Sequence, residues 1–347
     1  MATAQFLHND EQRARYEVKL KRELGELVLS LLADDTVEDI LLNADSSLWT
    51  KRIGQGFACV GFIPPNQVMS AINTIAAWRG TTVNHDRPIL ETELPIDGSR
   101  FEGVVPPLVA QPLFAIRIRP RRIFTLADYE RDGILSAVGD PLNRSRQNDI
   151  FRAGLSGLTH GDIIRQAIRL KRNILVAGAT GSGKTTFLNA CFEAMASLAP
   201  SDRVISIEDT TELQCSMENH VELRSTTHVS MLECIRACMR LKPTRIVVGE
   251  VRGAEAHALL KAWNTGHPGG IATIHANDAL GGLRRLESLV AEAVNAPKEQ
   301  YIQQLIAEAV DLVVFIDEEP AVKAGRKVRE LALVNGCRDG RYEVGYV

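Results

Sequence analysis

The stretch GATGSGKTT occupies residues 178–186 and follows the apolar run NILVAG at 173–178. It satisfies GxxxxGK[ST] with Gly178, Gly183, Lys184 and Thr185, and Ala179, Thr180, Gly181 and Ser182 fill the loop. A strand before it and a helix after it are the context this motif demands. Glycines let backbone N–H groups close around a phosphate, and the helix N-terminus adds a field that favours an anion. In that setting Lys184 reaches the β- and γ-phosphates and the Thr185 hydroxyl ligates Mg²⁺, with Thr186 completing the phosphate-binding run.

Outward from this loop, residues 151–347 alternate strand and helix. Apolar strands are expected at 173–178, 203–208, 245–250, 270–275 and 311–317, with helical segments such as SMLECIRACMRL and AEAHALLKAW between them. Such alternation implies a parallel sheet covered by helices, with ligands bound beyond the carboxyl ends of the strands. Two further strands end in carboxylates. RIVVGEVRG (245–253) ends on Glu250, with Arg252 two residues on. Gly249 stands where the strand usually ends in a metal-side Asp, so Glu250 takes either the metal-side or the water-activating role. ISIEDTTEL (205–213) supplies Glu208, Asp209 and Glu212. One acidic strand end can orient the attacking water while the other helps hold Mg²⁺ through its waters, and the residues alone leave the assignment open. In GGIATIHAND (269–278), alternation puts Thr273 and His275 on one face of a strand and Ala272 and Ile274 on the other. The chain ends in an expected hairpin turning at Asp339-Gly340.

Residues 1–122 read as a smaller α+β domain, and 123–150 as a linker containing a short helix. An amphipathic helix is expected over 8–33, and a second from the prolines at 64 and 65 to Gly80. In AIRIRP, Arg117 and Arg119 alternate with Ile116 and Ile118, so both arginines share one strand face, and Arg100 follows the Asp97-Gly98 turn. Arginine suits a phosphate whose charge shifts in a transition state. HPGG at 267–270 reads as a turn, and RLKRN at 169–173 as a polar helix end.

Composition narrows the remaining classes. At 45% hydrophobic and 24% charged residues, the balance is that of an ordinary globular protein. A net charge of −3 provides no global field to recruit nucleic acid, and no basic aromatic tract is present. The charged start does not read as a signal peptide, and nowhere do about 18 apolar residues run together, so membrane association is expected to be peripheral. The six cysteines form no CxxC and are expected as reduced thiols.

GATGSGKTT, ISIEDTTEL, CMRLKPTRIVVGEVRG and TGHPGGIATIHAND, in this order and spacing, resemble the secretion traffic ATPases. The resemblance is closest to the VirB-type ATPases of type IV secretion and, within them, to TrbB-like conjugal-transfer ATPases. It extends into the first domain through PIDGSRFEGVVPP and FAIRIRP. It implies a RecA-like ATPase domain after the N-terminal domain, ATP and Mg²⁺ as ligands, and nucleotide held between the two domains. It further implies a homohexameric ring on the cytoplasmic face of the bacterial inner membrane, working with inner-membrane components of the secretion apparatus and without sequence-specific nucleic-acid binding. The matching positions are a Walker A loop at 178–185, an acidic box at 205–213, a Walker B strand at 245–250 and a His box at 267–277. Arg100 and Arg117 match the N-domain arginines that reach nucleotide in this family, with Arg119 a further candidate. In the implied strand order, His275 emerges between Lys184 and Glu250, where it would sense the γ-phosphate. The chain lacks the tetracysteine insertion of type II secretion ATPases and the AIRNLI-like helix of pilus-retraction motors. A type IV pilus or type II secretion motor is the neighbouring alternative. More distant ones are a RecA-like nucleic-acid motor and a nucleotide-gated binding protein with negligible turnover.

Overall fold

The computed structural model describes residues 2–121, 123–135, 150–293 and 298–347. Its first part contains α1 (Ala2–Ala33), β1 (Val37–Leu42), β2 (Ser47–Arg52), β3 (Phe57–Phe62), α2 (Pro65–Trp78), β4 (Ile89–Glu93), β5 (Arg100–Val104) and β6 (Leu113–Arg117). The strands form one antiparallel sheet in the order β3-β2-β1-β6-β5-β4. The α1 stripe Leu20, Leu24, Val28, Leu31 and Leu32 packs with Ile72 and Ile75 of α2 over Ile40, Leu42, Phe114 and Ile116. The α1 helix is broken at Gly25, whose φ of 76° only glycine adopts readily. α2 starts on Pro65, which fixes the first helical φ, and stops before Gly80 at φ 68°.

Alternation along β1 sends Leu41 to the opposite face, where it joins Val104, Leu113 and Ala115 in a core shared with the second domain. β1 is therefore covered on both sides. From the expected linker, the described residues include α3 (Leu126–Arg131), entered through a Thr125–Asp128 capping box. The remainder of that expectation, residues 136–149, lies outside the described residues.

The second part holds α4 (His160–Arg169), β7 (Ile174–Gly178), α5 (Lys184–Leu198), β8 (Val204–Glu208), β9 (His220–Arg224), α6 (Met231–Cys238) and β10 (Arg245–Val248). It continues with α7 (Glu255–Asn264), β11 (Ile271–His275), α8 (Ala279–Ala291), α9 (Glu299–Ala309), β12 (Leu312–Glu318), β13 (Arg326–Arg338) and β14 (Arg341–Tyr346). The sheet order is β14-β13-β12-β7-β11-β10-β8-β9. Its six strands from β12 to β9 are parallel, and the terminal hairpin β13–β14 extends the sheet antiparallel. Ile174 and Val176 enter the core beneath α4 and α5, whereas Leu175 and Ala177 enter the core beneath α7 and α8. A strand buried on both faces must be apolar throughout, which is why these strands read as continuous runs.

The first domain docks on the β9 edge of this sheet. Leu108 and Val109 share a core with Val221 and Leu223, and the Arg224 backbone N–H donates to the Leu108 carbonyl at 2.8 Å. The buried Arg203 ties the junction, donating from Nε to the Leu241 carbonyl at 2.9 Å and from Nη1 to Asn43 Oδ1 at 2.6 Å. β9 is four strands from β7, or about 19 Å at the usual strand spacing. Among the described residues, no helix is long and apolar enough to cross a membrane.

Candidate active site

The parallel strands end at a cavity of about 450 Å³, within the range of small-molecule sites. Its lining comes from residues 180, 181, 183–186, 208–210, 212, 213, 249, 250, 252, 273, 275 and 326, all in the second domain. The loop from β7 to α5 depends on two glycines. A Cβ on Gly178 would sit 2.4 Å from both the Ile316 carbonyl oxygen and Ser182 Oγ, so only glycine lets the loop leave the sheet beside β12. Gly183 caps α5 at φ 96° and aims the first helical N–H groups at the cavity. Lys184 Nζ donates to the carbonyls of Gly178 and Ala179 at 3.0 and 2.8 Å. Burial pushes this ammonium below the ordinary lysine range, and the Glu250 carboxylate opposes the shift. Ser182 Oγ is buried and lacks a hydrogen-bond partner among the described residues.

Both acidic strand ends reach this cavity. Glu208 is 5% exposed, and its Oε2 accepts the backbone N–H groups of Glu212 and Leu213 at 2.9 and 3.1 Å. Burial raises its carboxyl above the ordinary range, and the two N–H groups pull it back. Thr185 Oγ1 donates to Glu212 Oε2 at 3.0 Å. Glu250 is gripped at both oxygens, by His275 Nε2 at 2.6 Å and by Arg252 Nη2 at 2.5 Å. Arg252 also pairs with Asp209, so the guanidinium ties the two acidic strand ends together. Gly249 packs close against the neighbouring strand. A Cβ there would lie 3.2 Å from the Glu208 Cβ, so the neighbouring strand leaves little room for a side chain at this position.

β11 pairs with β7 in register, His275 opposite Gly178. His275 thus stands between the two expected groups, with Nδ1 3.3 Å from Lys184 Nζ and Nε2 on Glu250. Thr273 shares its face and donates to the Gly249 carbonyl at 2.6 Å. The other end of the 267–277 segment lies away from this cavity. Gly270 sits at the far end of β11, where a Cβ would meet Trp263 Nε1 at 2.1 Å, and His267 Nδ1 contacts the Pro243 carbonyl at 2.9 Å. HPGG is therefore a packing turn.

The N-domain arginines lie elsewhere within this chain, contrary to the expectation of a pocket between its own two domains. Arg100 and Arg117 are direct cross-strand partners in a row that runs Glu93, Arg100, Arg117, Asp39 across β4, β5, β6 and β1. They line a separate cavity of about 520 Å³ beside Arg240 and Lys242. The cause is the docking of the first domain on the β9 edge. Arg119 lies beyond β6; its backbone N–H donates to Ser99 Oγ at 3.0 Å. Arg326 is not among the site residues expected from the sequence. β13 returns antiparallel beside β12 with Arg326 opposite Glu318, which brings the guanidinium over the phosphate loop. Its Nη1 donates to Thr186 Oγ1 at 3.2 Å. Only the tertiary pairing of β13 with β12 reveals it.

Known proteins resemble this chain over most of its length. A family model described as Type II/IV secretion system protein matches residues 23–340. The chain is 42% identical over 326 residues to a probable conjugal transfer protein TrbB of Sinorhizobium fredii, covering 94% of this chain and 92% of that one. It is 32% identical to the type IV secretion system protein PtlH of Bordetella pertussis, covering 86% and 91% of the two chains. The crystal structure of the VirB11 ATPase from the Brucella suis type IV secretion system, in complex with sulphate, superposes with a TM-score of 0.82 at 27% identity over 93% of this chain and 96% of that one. The chain belongs to the type II/IV secretion system protein family, the family of secretion ATPases to which its motifs point.

Proposed function

We propose that this chain is the Mg²⁺-dependent ATP hydrolase of a homohexameric ring that powers type IV secretion, specifically conjugative DNA transfer and pilus assembly, from the cytoplasmic face of the inner membrane. The observation that carries the hydrolytic reading is Glu250, a carboxylate fixed at both oxygens next to a phosphate loop. A protein that only binds nucleotide needs no such oriented base. The similarity to conjugal transfer proteins over nearly the whole chain supports the conjugative assignment.

In this reading the N–H groups of residues 178–186 and the Lys184 ammonium hold the β- and γ-phosphates. Glu250 takes the proton of the attacking water. His275 joins Lys184 to Glu250, so loss of the γ-phosphate changes the partners of one ring that touches both. Arg326 steadies the start of α5 through Thr186. The Thr185 hydroxyl and the carboxylates of Glu208 and Glu212 are hard oxygen donors on one wall of the cavity, a set that fits Mg²⁺. Bound there, the ion would neutralise charge on the β- and γ-phosphate oxygens. Arg100 and Arg117 line a different cavity in their own chain, which supports a role at the nucleotide of a neighbouring protomer. The test is phosphate release by the purified protein. Lys184→Ala should abolish it while the fold stays intact, and full activity in that variant would overturn the assignment of the loop.

A further inference from the structure

Away from the phosphate cavity, a cluster of metal-ligating side chains joins the two domains. His85 and Asp86 sit between α2 and β4, and His228 sits between β9 and α6. His85 Nδ1 lies 3.2 Å from Asp86 Oδ1, and His228 Nε2 lies 3.3 Å from the same oxygen. The three donor atoms all fall within 4.8 Å of one another, and the rings meet edge to face with centroids 5.6 Å apart.

We propose that His85, Asp86 and His228 bind a borderline divalent transition metal, Zn²⁺ being the type case, and that this ion links the N-terminal domain to the ATPase domain. Two imidazole nitrogens and one carboxylate oxygen are a zinc donor set. The distances fit coordination as well as hydrogen bonding. Ligand atoms about 2.05 Å from a tetrahedral metal stand about 3.3 Å apart, and the two observed separations match such edges. All three side chains are exposed, between 46% and 68%, so water can take the fourth position. Both loops are braced from within. Asn84 Oδ1 accepts the backbone N–H groups of Asp86 and Arg87, and Thr226 Oγ1 accepts that of His228. Since the ligands come from both domains, an ion that binds only the docked arrangement stabilises that arrangement.

The full-length protein, stripped with a chelator, is titrated with Zn²⁺ and with Co²⁺ in the absence of nucleotide and Mg²⁺. We expect about one equivalent to bind, with the visible spectrum of tetrahedral Co²⁺ and no thiolate charge-transfer band, and the thermal midpoint to rise with added Zn²⁺. His85→Ala and His228→Ala should each lower the affinity by at least about tenfold and remove the thermal shift, while phosphate release with Mg²⁺ stays at the wild-type rate. Lys184→Ala should bind Zn²⁺ as the wild type does. Zn²⁺ affinity that survives either histidine substitution, a thiolate spectrum, or no binding at all would overturn the proposal.

Discussion

Replacing Glu250 with glutamine keeps the shape of the side chain and removes its ability to accept a proton. Glu250 is 15% exposed and held by His275 and Arg252 at 2.6 and 2.5 Å. The glutamine carbonyl can still accept from Arg252, and its amide can face the imidazole, so the cavity wall is preserved. A positioned general base contributes about 10²–10⁴-fold, or about 3–5 kcal/mol of barrier. Glu250→Gln should therefore lower kcat by that factor. ATP affinity should stay level or tighten, because one negative charge near the γ-phosphate is gone. Glu208→Gln is the comparison that separates the two carboxylates. Glu208 already spends Oε2 on two backbone N–H groups, and a glutamine carbonyl can accept the same pair. Its loss should weaken Mg²⁺ dependence more than the chemical step. Steady-state phosphate release over a Mg²⁺ series, with binding of a fluorescent ATP analogue, reads both effects. If Glu250→Gln retained kcat within about tenfold of wild type while Glu208→Gln fell further, the base would be Glu208 and the reasoning from the Glu250 contacts would fail.

Gly183→Ala places a side chain at φ 96° and against the Arg326 guanidinium; the φ alone costs about 1–2 kcal/mol, so the loop should bind ATP at least about tenfold more weakly, and unchanged affinity would refute the argument. Mixing Arg117→Ala protein with Lys184→Ala protein tests action between protomers. Each should be inactive alone, and mixed rings should regain part of the phosphate release, because an intact loop can meet intact arginines from a neighbour. No recovery would place the arginines at their own chain's nucleotide. Glu102 is 2% exposed, and burial, aided by Glu91 and opposed by Arg240, raises its carboxyl to about 8. The unfolded chain ionises this group near 4.5, so between about pH 4.5 and 8 the folded state binds more protons and stability falls as pH rises, by at most about 1.4 kcal/mol per unit. Glu102→Gln should flatten that slope in urea unfolding followed from about pH 5 to 8, and an unchanged slope would refute the burial argument.

The parallel sheet was legible because its central strands are buried on both faces and leave continuous apolar runs, as in NILVAG and RIVVGE. β9 was missed because HVELR is short, alternates in burial and stands between polar loops. His275 was placeable through strand order, since its register opposite Gly178 follows once β11 adjoins β7. The absence of an Asp at 249 was visible in the sequence, but the close approach of the Glu208 Cβ was not, because it comes from another strand. The position of Arg100 and Arg117 depends on how one domain docks on the other, through Arg203, Asn43 and the Leu108 segment, and no local pattern encodes that. Arg326 was hidden for a related reason. Its place over the loop comes from an antiparallel pairing at the far end of the chain.

The most direct test of the central claim is plasmid transfer frequency in a strain deleted for this gene and complemented with wild type or with Lys184→Ala, with twitching motility scored in parallel. The account predicts that deletion abolishes transfer, that the wild type restores it, that Lys184→Ala does not, and that twitching is unaffected throughout. Transfer restored by Lys184→Ala, or loss of twitching with normal transfer, would contradict it.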